Sequence, residues 1–537
     1  MSWKKGCSLF LAAVLLLSLT AGCGGAKDTS GKMMRIATGA EPETLDPRKS
    51  TGIPEALIQN QIFEGLCSRD KNSNPVPGVA EKWDISDDGL KYVFHLRANA
   101  KWSNGDPVTA QDFEYAWKTL LSPEMASRYA DQLYYLKNGA AYNKQQNGIT
   151  ADQVGVKALN DRTLEVTLEK PTAFFLALLG HHTYFPVHKK TVEANPDWIK
   201  EPATIISNGP FKMAAWVHNS KIELVKNEHY WDAGKLKLDK LDVTLSDNAT
   251  TVLAMFENNQ LDLAIRPEPP VAEVPRLLKE NKLKIYPYLG IYYYAINVTK
   301  PPLDNVKLRQ ALALAIDRQA IVDNITRSGQ IPAMALVPFG LSDAKAGEDF
   351  RKVGGDYFKD KDFATAKKLL AEAGYPDGKG LPALTILYNT LDQHKAIAEA
   401  IQEMWKKNLG IEVNLVNQEW KVYLASLRQG DYLIGRAGWI GDYTDPMNFA
   451  DLLMTDAGNN HSKWSSKQYD DLVNQAKATL DPTSRMKAMH DAEKILMDEM
   501  PIIPIYFYTL LNLEKPNVKG IVRNVDGNVY LKEAFLE

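Results

Sequence analysis

Hydrophobic positions along this chain switch between two periods. Leu308, Ala311, Leu312, Ala315 and Ile316 recur at the three-and-four spacing of one helix face, which predicts an amphipathic helix against a core. Ile397, Ala400, Ile401, Met404 and Trp405 repeat the spacing, and Gly410 stands where a left-handed residue closes a helix. A third helix is predicted over 363–373, with Asp362 as its N-cap and Gly374 and Pro376 as its stop. Elsewhere the period is two. Tyr92–Arg97 and Thr163–Leu168 alternate as half-buried strands after turn-forming residues, and Ile411, Val413 and Leu415 alternate directly after Gly410. Strands and helices therefore intermix without internal repeats, and the class is α/β, in the sense of mixed α+β. Which segments share a domain is not written in the periodicity.

The amino terminus follows a different rule. Lys4 and Lys5 precede an apolar run from Leu9 to Leu19, the length of a signal-peptide core and short of the ~20 residues that cross a bilayer. The run ends in Leu19-Thr20-Ala21-Gly22-Cys23, which resembles the lipobox of bacterial lipoproteins, with Thr20 where leucine is usual. That resemblance implies removal of residues 1–22, lipid on Cys23, a Gly/Ser/Lys-rich tether over 23–32 and attachment to the outer face of the cell membrane. A plain secretory signal with an incidental cysteine is the alternative.

Composition narrows the function. A chain of 537 residues suggests about three domains at roughly 100–200 residues each. The 63 Lys+Arg against 66 Asp+Glu give a net charge of −3, so no basic excess draws the chain to nucleic acid. Cys7, Cys23 and Cys67 are too few for a disulfide framework and lack zinc or redox spacing; after processing only Cys67 would be free. Catalytic signatures are missing too. There is no Gly-x-Ser-x-Gly and no His-Glu-x-x-His, Gly374 to Lys379 is one residue short of a phosphate-cradling loop, and the adjacent His181 and His182 would point to opposite faces of a strand. Asp442 and Asp445 are not specific evidence for a hydrolase in a chain with 66 acids. No catalytic residue, metal site or cofactor is expected.

Longer motifs are more telling. Gly78–Trp83, Tyr92–Arg97, Ala100–Phe113 and Tyr115-Ala116-Trp117 follow in close order, joined by Glu43–Pro47, Ser207–Phe211, Tyr292-Tyr293-Tyr294 with Asn297, Lys300-Pro301-Pro302 and Ala371–Tyr375. The set resembles the family 5 extracellular solute-binding proteins, the peptide-binding components of ABC importers. Leu387–Thr390 with His394, Val416–Trp420, and Arg436–Trp439 with Asp442-Tyr443 are similar to the oligopeptide-binding subgroup. The resemblance covers about 34–537. It implies two hinged lobes and an accessory domain: 33–63, 205–289 and 510–537 in lobe I, 64–204 in accessory lobe II, 290–509 in lobe III. The ligand would lie between lobes I and III, which close about chain crossings near Gly290 and residue 509. A monomer that hands short peptides to a membrane permease is implied.

Chemistry and resemblance meet at particular residues. A buried zwitterion needs an acid for its ammonium and a base for its carboxylate, since each uncompensated charge costs several kcal/mol. Asp442, by itself a turn aspartate, matches the position that receives the peptide ammonium; Arg436 and His394 match positions that meet the carboxylate. A histidine at its ordinary pKa of ~6.5 would make carboxylate binding pH-sensitive between pH 5 and 8. Trp420, Trp439, Tyr129 and Tyr293 match aromatic or backbone positions lining the cleft, with core packing the competing reading for Tyr129 and Tyr293, and the resemblance implies Asn459 at the cleft edge through an amide or water contact. Relative to the enteric members, Gly290 and Ile440 replace a cysteine pair, Thr51 replaces a carboxylate and Leu427 an arginine. A same-fold binder of a nickel complex, sugar or cell-wall peptide is the main alternative, and a secreted hydrolase a lesser one.

Overall fold

The computed structural model describes residues 32–537 except Glu419 and Asp456; the leader, Cys23 and the tether to residue 31 lie outside the described residues. After β1 (Met33–Gly39) and helix α1 (Ile53–Ile62), the chain builds a separate antiparallel sheet from β2 (Ala80–Ile85), β3 (Lys91–Leu96), β4 (Val156–Asn160) and β5 (Thr163–Thr167), in the order β2-β3-β5-β4. Helix α2 (Ala110–Leu120) packs on this sheet. Its first turn is closed by a reciprocal capping box between Thr109 and Asp112, and Asp112 also accepts from the Trp102 indole at 3.1 Å. Trp102, Phe113 and Trp117 are completely buried. The motif residues Ala100–Trp117 therefore build the core around this second sheet.

A large mixed sheet holds the rest together. In chain order its other strands are β6 (Phe211–Val217), β7 (Lys221–Lys226), β8 (Lys240–Leu245), β9 (Leu263–Arg266), β10 (Leu283–Ile296), β11 (Leu384–Asn389), β12 (Val413–Gln418), β13 (Ile434–Ile440) and β14 (Ile502–Glu514). Their spatial order is β12-β11-β13-β10-β14-β9-β1-β8-β7-β6, with Ile331–Pro332 added beside β14. Two long antiparallel strands, β10 and β14, occupy the middle. Their ladder is interrupted: Leu283–Pro287 pair with Leu513–Thr509, and regular pairing resumes at Ile291 opposite Phe507. The part of β14 near Leu513 joins β9, while the part of β10 from Gly290 onward joins β13. The break thus falls where the strands pass from one half of the sheet to the other.

The expected helices and strands are present. α3 (Val306–Leu314), α4 (Phe363–Glu372) and α5 (Asp392–Leu409) are capped by Asn305, by Asp362 and, at the end of α5, by Gly410 at φ +69°. Trp405, wholly buried, donates its indole N–H to the Leu312 carbonyl at 2.8 Å and joins α5 to α3. One expectation fails: His181 and His182 are not on a strand but lead into a short 3₁₀ turn, and their rings lie 4.1 Å apart rather than on opposite faces.

Candidate ligand-binding cleft

A cavity of about 330 Å³ opens beside the strand interruption, and Asp442, Tyr129, Thr51, Tyr288 and His181 line it. Asp442 follows β13 by two residues. The turn that presents it is pinned by the Gly441 N–H, which donates to the Leu289 carbonyl at 2.7 Å; a Cβ on Gly441 would meet the Leu289 Cδ2 at 2.7 Å, so this approach requires glycine. Beyond Asp442 the Tyr443 ring stacks on Phe174, centroids 4.6 Å apart. Asp445 is taken by structure: it pairs with both terminal nitrogens of Arg485, at 2.6 and 2.9 Å, and accepts from the Met447 N–H.

Asp442 has no ion pair among the described residues, and its side chain is exposed to solvent at the mouth of the cavity. The cavity walls nevertheless press around it, and that burial, with the like charge of Asp131, pushes its carboxyl up to about 6. The Tyr129 hydroxyl donates to the Thr51 carbonyl at 3.4 Å, which holds this aromatic wall against the loop before α1. His182 donates from Nε2 to the Ser50 carbonyl at 3.1 Å, and burial with the nearby Arg69 charge drops its pKa to about 4. Both histidines are neutral at physiological pH.

Arg436 lies on β13 on the same face as Gly438 and Ile440. Its guanidinium sits 4.6 Å from the Tyr292 ring centroid, Nη2 donates to the Tyr508 hydroxyl at 3.1 Å, and Nε has no acceptor. Like Asp442, it has no opposite charge among the described residues. The Tyr292 hydroxyl shares a hydrogen bond with His394 Nδ1 at 3.2 Å, so His394 and Arg436 meet on one tyrosine. This corrects the expected titration. Burial, and then the Arg436 charge, push His394 down to about 3, so it stays neutral between pH 5 and 8 instead of switching near 6.5.

Other expected residues lie elsewhere. Tyr293 points to the opposite face, is 2% exposed and packs in the core; it is Tyr292 that meets Arg436. Trp439, also opposite to Arg436 by alternation, donates its indole N–H to Asn448 Oδ1 at 2.7 Å. Asn459 occupies an exposed turn and does not line the cavity. Trp420 heads the helix Trp420–Gln429, and its side chain lies outside what is described. Tyr288, Arg266 and His181 were missed, and only the histidine doublet offered a signal. Gly290 and Ile440 stand directly opposite one another in the β10–β13 ladder, and a Cβ on Gly290 would meet the Ile440 side chain at 2.4 Å.

The edge of β13 completes the geometry. β11 pairs with it only at Ile434 and Gly435, so Arg436–Ile440 have a strand partner on one side alone. The site thus combines a strand edge with no ladder partner beyond Gly435, where the Arg436 carbonyl accepts from the Tyr423 hydroxyl, a bare glycine at Gly438, a guanidinium without a countercharge near one end and a carboxylate without one past the other. The sequence profile of the bacterial extracellular solute-binding proteins, family 5 (middle region), matches residues 74–461.

The chain belongs to this family. It is 42% identical to the oligopeptide-binding protein OppA of Bacillus subtilis over 99% of this chain and 100% of that one. Among solved structures it resembles the periplasmic murein tripeptide-binding protein MppA in its unliganded open form, with a TM-score of 0.85, 35% identity and 94% and 98% of the two chains covered. Haemophilus influenzae OppA in complex with RPPGFSPFR gives a TM-score of 0.68 at 34% identity over 94% and 99%. A second structure of Escherichia coli MppA, at the same 35% identity and over 94% and 99% of the two chains, gives a TM-score of 0.72, so this chain superimposes better on the open form than on that structure. The relatives are binding proteins by name. Among the described residues no helix is long and apolar enough to cross a membrane.

Proposed function

We propose that this family member captures short peptides in the cleft along β13 and delivers them to an ABC permease. One observation carries the reading: Asp442 and Arg436, both without a countercharge, flank a strand edge with no ladder partner beyond Gly435. Six residues of extended chain place their Cα atoms at most about 20 Å apart, the scale of a peptide of a few residues. A zwitterionic peptide lying on that edge would add a strand through its main chain, satisfy the carboxylate with its ammonium, and bring its carboxylate toward Arg436 and the neutral His394. Main-chain recognition leaves side chains little constrained, which suits a binder of many sequences. The names of the relatives, oligopeptide- and murein-peptide-binding proteins, support the same ligand class.

The remaining features fit this role. The two crossings of β10 and β14, with the ladder break at 288–290, are proposed as the hinge between lobe I (33–63, 205–289, 510–537) and lobe III (290–509), with 64–204 as the accessory lobe. Tyr129, on the accessory lobe, walls the ammonium end. Cys23 is proposed as the lipid attachment that keeps a monomeric receptor on the outer face of the cell membrane; this rests on the sequence around it. No cofactor is invoked.

The test is direct. Mass spectrometry of ligand released from purified protein should find peptides, and calorimetry with di- to pentapeptides should show 1:1 binding that is lost when the peptide is N-acetylated. A protein that gives no heat with any of them, or binds acetylated peptides equally well, refutes the reading.

A further inference from the structure

The turn Asp70–Asn74, on the accessory lobe, touches both sides of the hinge. It is braced from within. The Asp70 carboxylate accepts from the N–H groups of Asn72 at 2.8 Å and Asn74 at 2.9 Å, and Ser73 is held in the left-handed region at φ +65°. One flank is fixed to the C-terminal segment of lobe I. Asn524 Nδ2 donates to the Asp70 carbonyl at 2.7 Å, the Val525 N–H donates to Ser73 Oγ at 3.3 Å, and Arg69 pairs with Asp526. The other flank meets lobe III: Ser342 Oγ donates to Asn74 Oδ1 at 2.8 Å and Thr444 Oγ1 donates to the Ser73 carbonyl at 3.4 Å. Thr444 is two residues from Asp442. Beside these bonds Gly340 is so close to lobe I that a Cβ there would meet the Val525 Cγ2 at 2.5 Å.

We infer that this turn is a latch that holds the cleft open until a ligand closes it. The inference rests on the peptide-binding reading for its ligand and on the lobes and hinge proposed with that reading for its mechanics. The turn moves with lobe I, to which three side-chain contacts tie it; Ser342 and Thr444 move with lobe III. A rotation of roughly 15°, the size of ordinary domain rotations, moves a point about 10 Å from the axis by about 2.6 Å, more than a hydrogen bond tolerates. Bonds made in the open arrangement and lost on closure stabilise the open state alone, so they lower the closed fraction and weaken apparent ligand affinity by the same factor. Neither Asn74 nor Ser342 lines the Asp442 cavity. Removing the bond should therefore tighten binding without touching the ligand.

The experiment compares wild type, Ser342→Ala and Ser342→Thr. One hydrogen bond of ordinary net strength corresponds to about fivefold in an equilibrium, so Ser342→Ala should bind a given peptide about fivefold more tightly, through a slower off-rate, while Ser342→Thr, which keeps the hydroxyl, should match wild type. A ligand-free readout runs in parallel. Spin labels on Val271→Cys and Val353→Cys, exposed positions on lobes I and III, in a chain with Cys7 and Cys23 changed to serine, report the interlobe distance by pulsed electron resonance, and buried Cys67 does not compete for label. Ser342→Ala should show a larger closed fraction without peptide. Equal distance distributions in wild type and Ser342→Ala, or an affinity unchanged or weakened while wild type binds peptide, overturn the latch. If wild type binds no peptide, the binding reading fails instead, and the label distances still decide the latch.

Discussion

Peptide affinity should weaken as pH falls through 6, and Asp442 should account for the whole slope. Its carboxyl is pushed up to about 6 by burial and by Asp131, and an ammonium binds only its ionised form. Protons and peptide then compete. The apparent Kd is multiplied by one plus the ratio of protonated to ionised carboxyl, about 1.1 at pH 7 and about 11 at pH 5, so affinity drops about tenfold, or about 1.4 kcal/mol. Solvent reaching Asp442 through the open mouth moderates its pKa, so tenfold is the upper end. Over this range the peptide's own ammonium, with a pKa near 7.7–8.0, and its carboxyl, near 3.3–3.7, keep their charges. His394, held at about 3, contributes nothing. A histidine titrating near 6.5 would give the opposite sign, because its protonation would strengthen carboxylate binding. For folding, the raised Asp442 pKa works in the reverse sense to a salt-bridged acid: its contribution favours the folded state below the unfolded value of about 3.9 and is lost as pH rises through about 6. The assay is calorimetry of one peptide at pH 5, 6 and 7 in two buffers of different ionisation heat, which also counts the proton released, about half a proton at pH 6. Affinity that is flat or rises toward pH 5, or an Asp442→Asn protein that keeps the slope, refutes the reasoning.

Asp442→Ala should weaken binding of free-amino peptides by about 2–5 kcal/mol because it strands a buried ammonium, and should leave residual binding indifferent to N-acetylation; calorimetry with both peptide forms checks it. Arg436→Met keeps the packing on Tyr292 while removing the charge, so it should abolish the preference for free-carboxyl over amidated peptides with little change in melting temperature. Asp445→Ala should act on folding instead: it leaves Arg485 buried and unpaired and should cost about 3–5 kcal/mol in denaturant unfolding.

Local structure was legible because local physics writes it. The spacing of Ile397 to Trp405 and the glycine after it place α5 and its left-handed cap without reference to the rest of the chain. Asp442 and Arg436 were legible through resemblance, since in isolation each is an ordinary turn or surface residue. That the Tyr293 ring packs in the core while Tyr292 meets Arg436 was not legible, because a run of three buried tyrosines carries no mark of which face each takes. The titration expected of His394 failed for a related reason. A pKa is set by what surrounds the ring, and Tyr292 and Arg436 reach it from strands 102 and 42 residues away in the chain.

By itself the sequence determined the class, the helices and strands and the absence of recognisable catalytic signatures, and its resemblance singled out Asp442 and Arg436. Only the tertiary structure decided that Asp445 is consumed by Arg485 while Asp442 has no ion pair among the described residues, that β13 beyond Gly435 has a strand partner on one side alone, and that the Asp70–Asn74 turn bonds both to Asn524 and Val525 and to Ser342 and Thr444. The reason is physical: helix and strand propensities act over a few neighbours, whereas a charge is free or neutralised, and an edge paired or open, according to segments that the chain brings together from far apart.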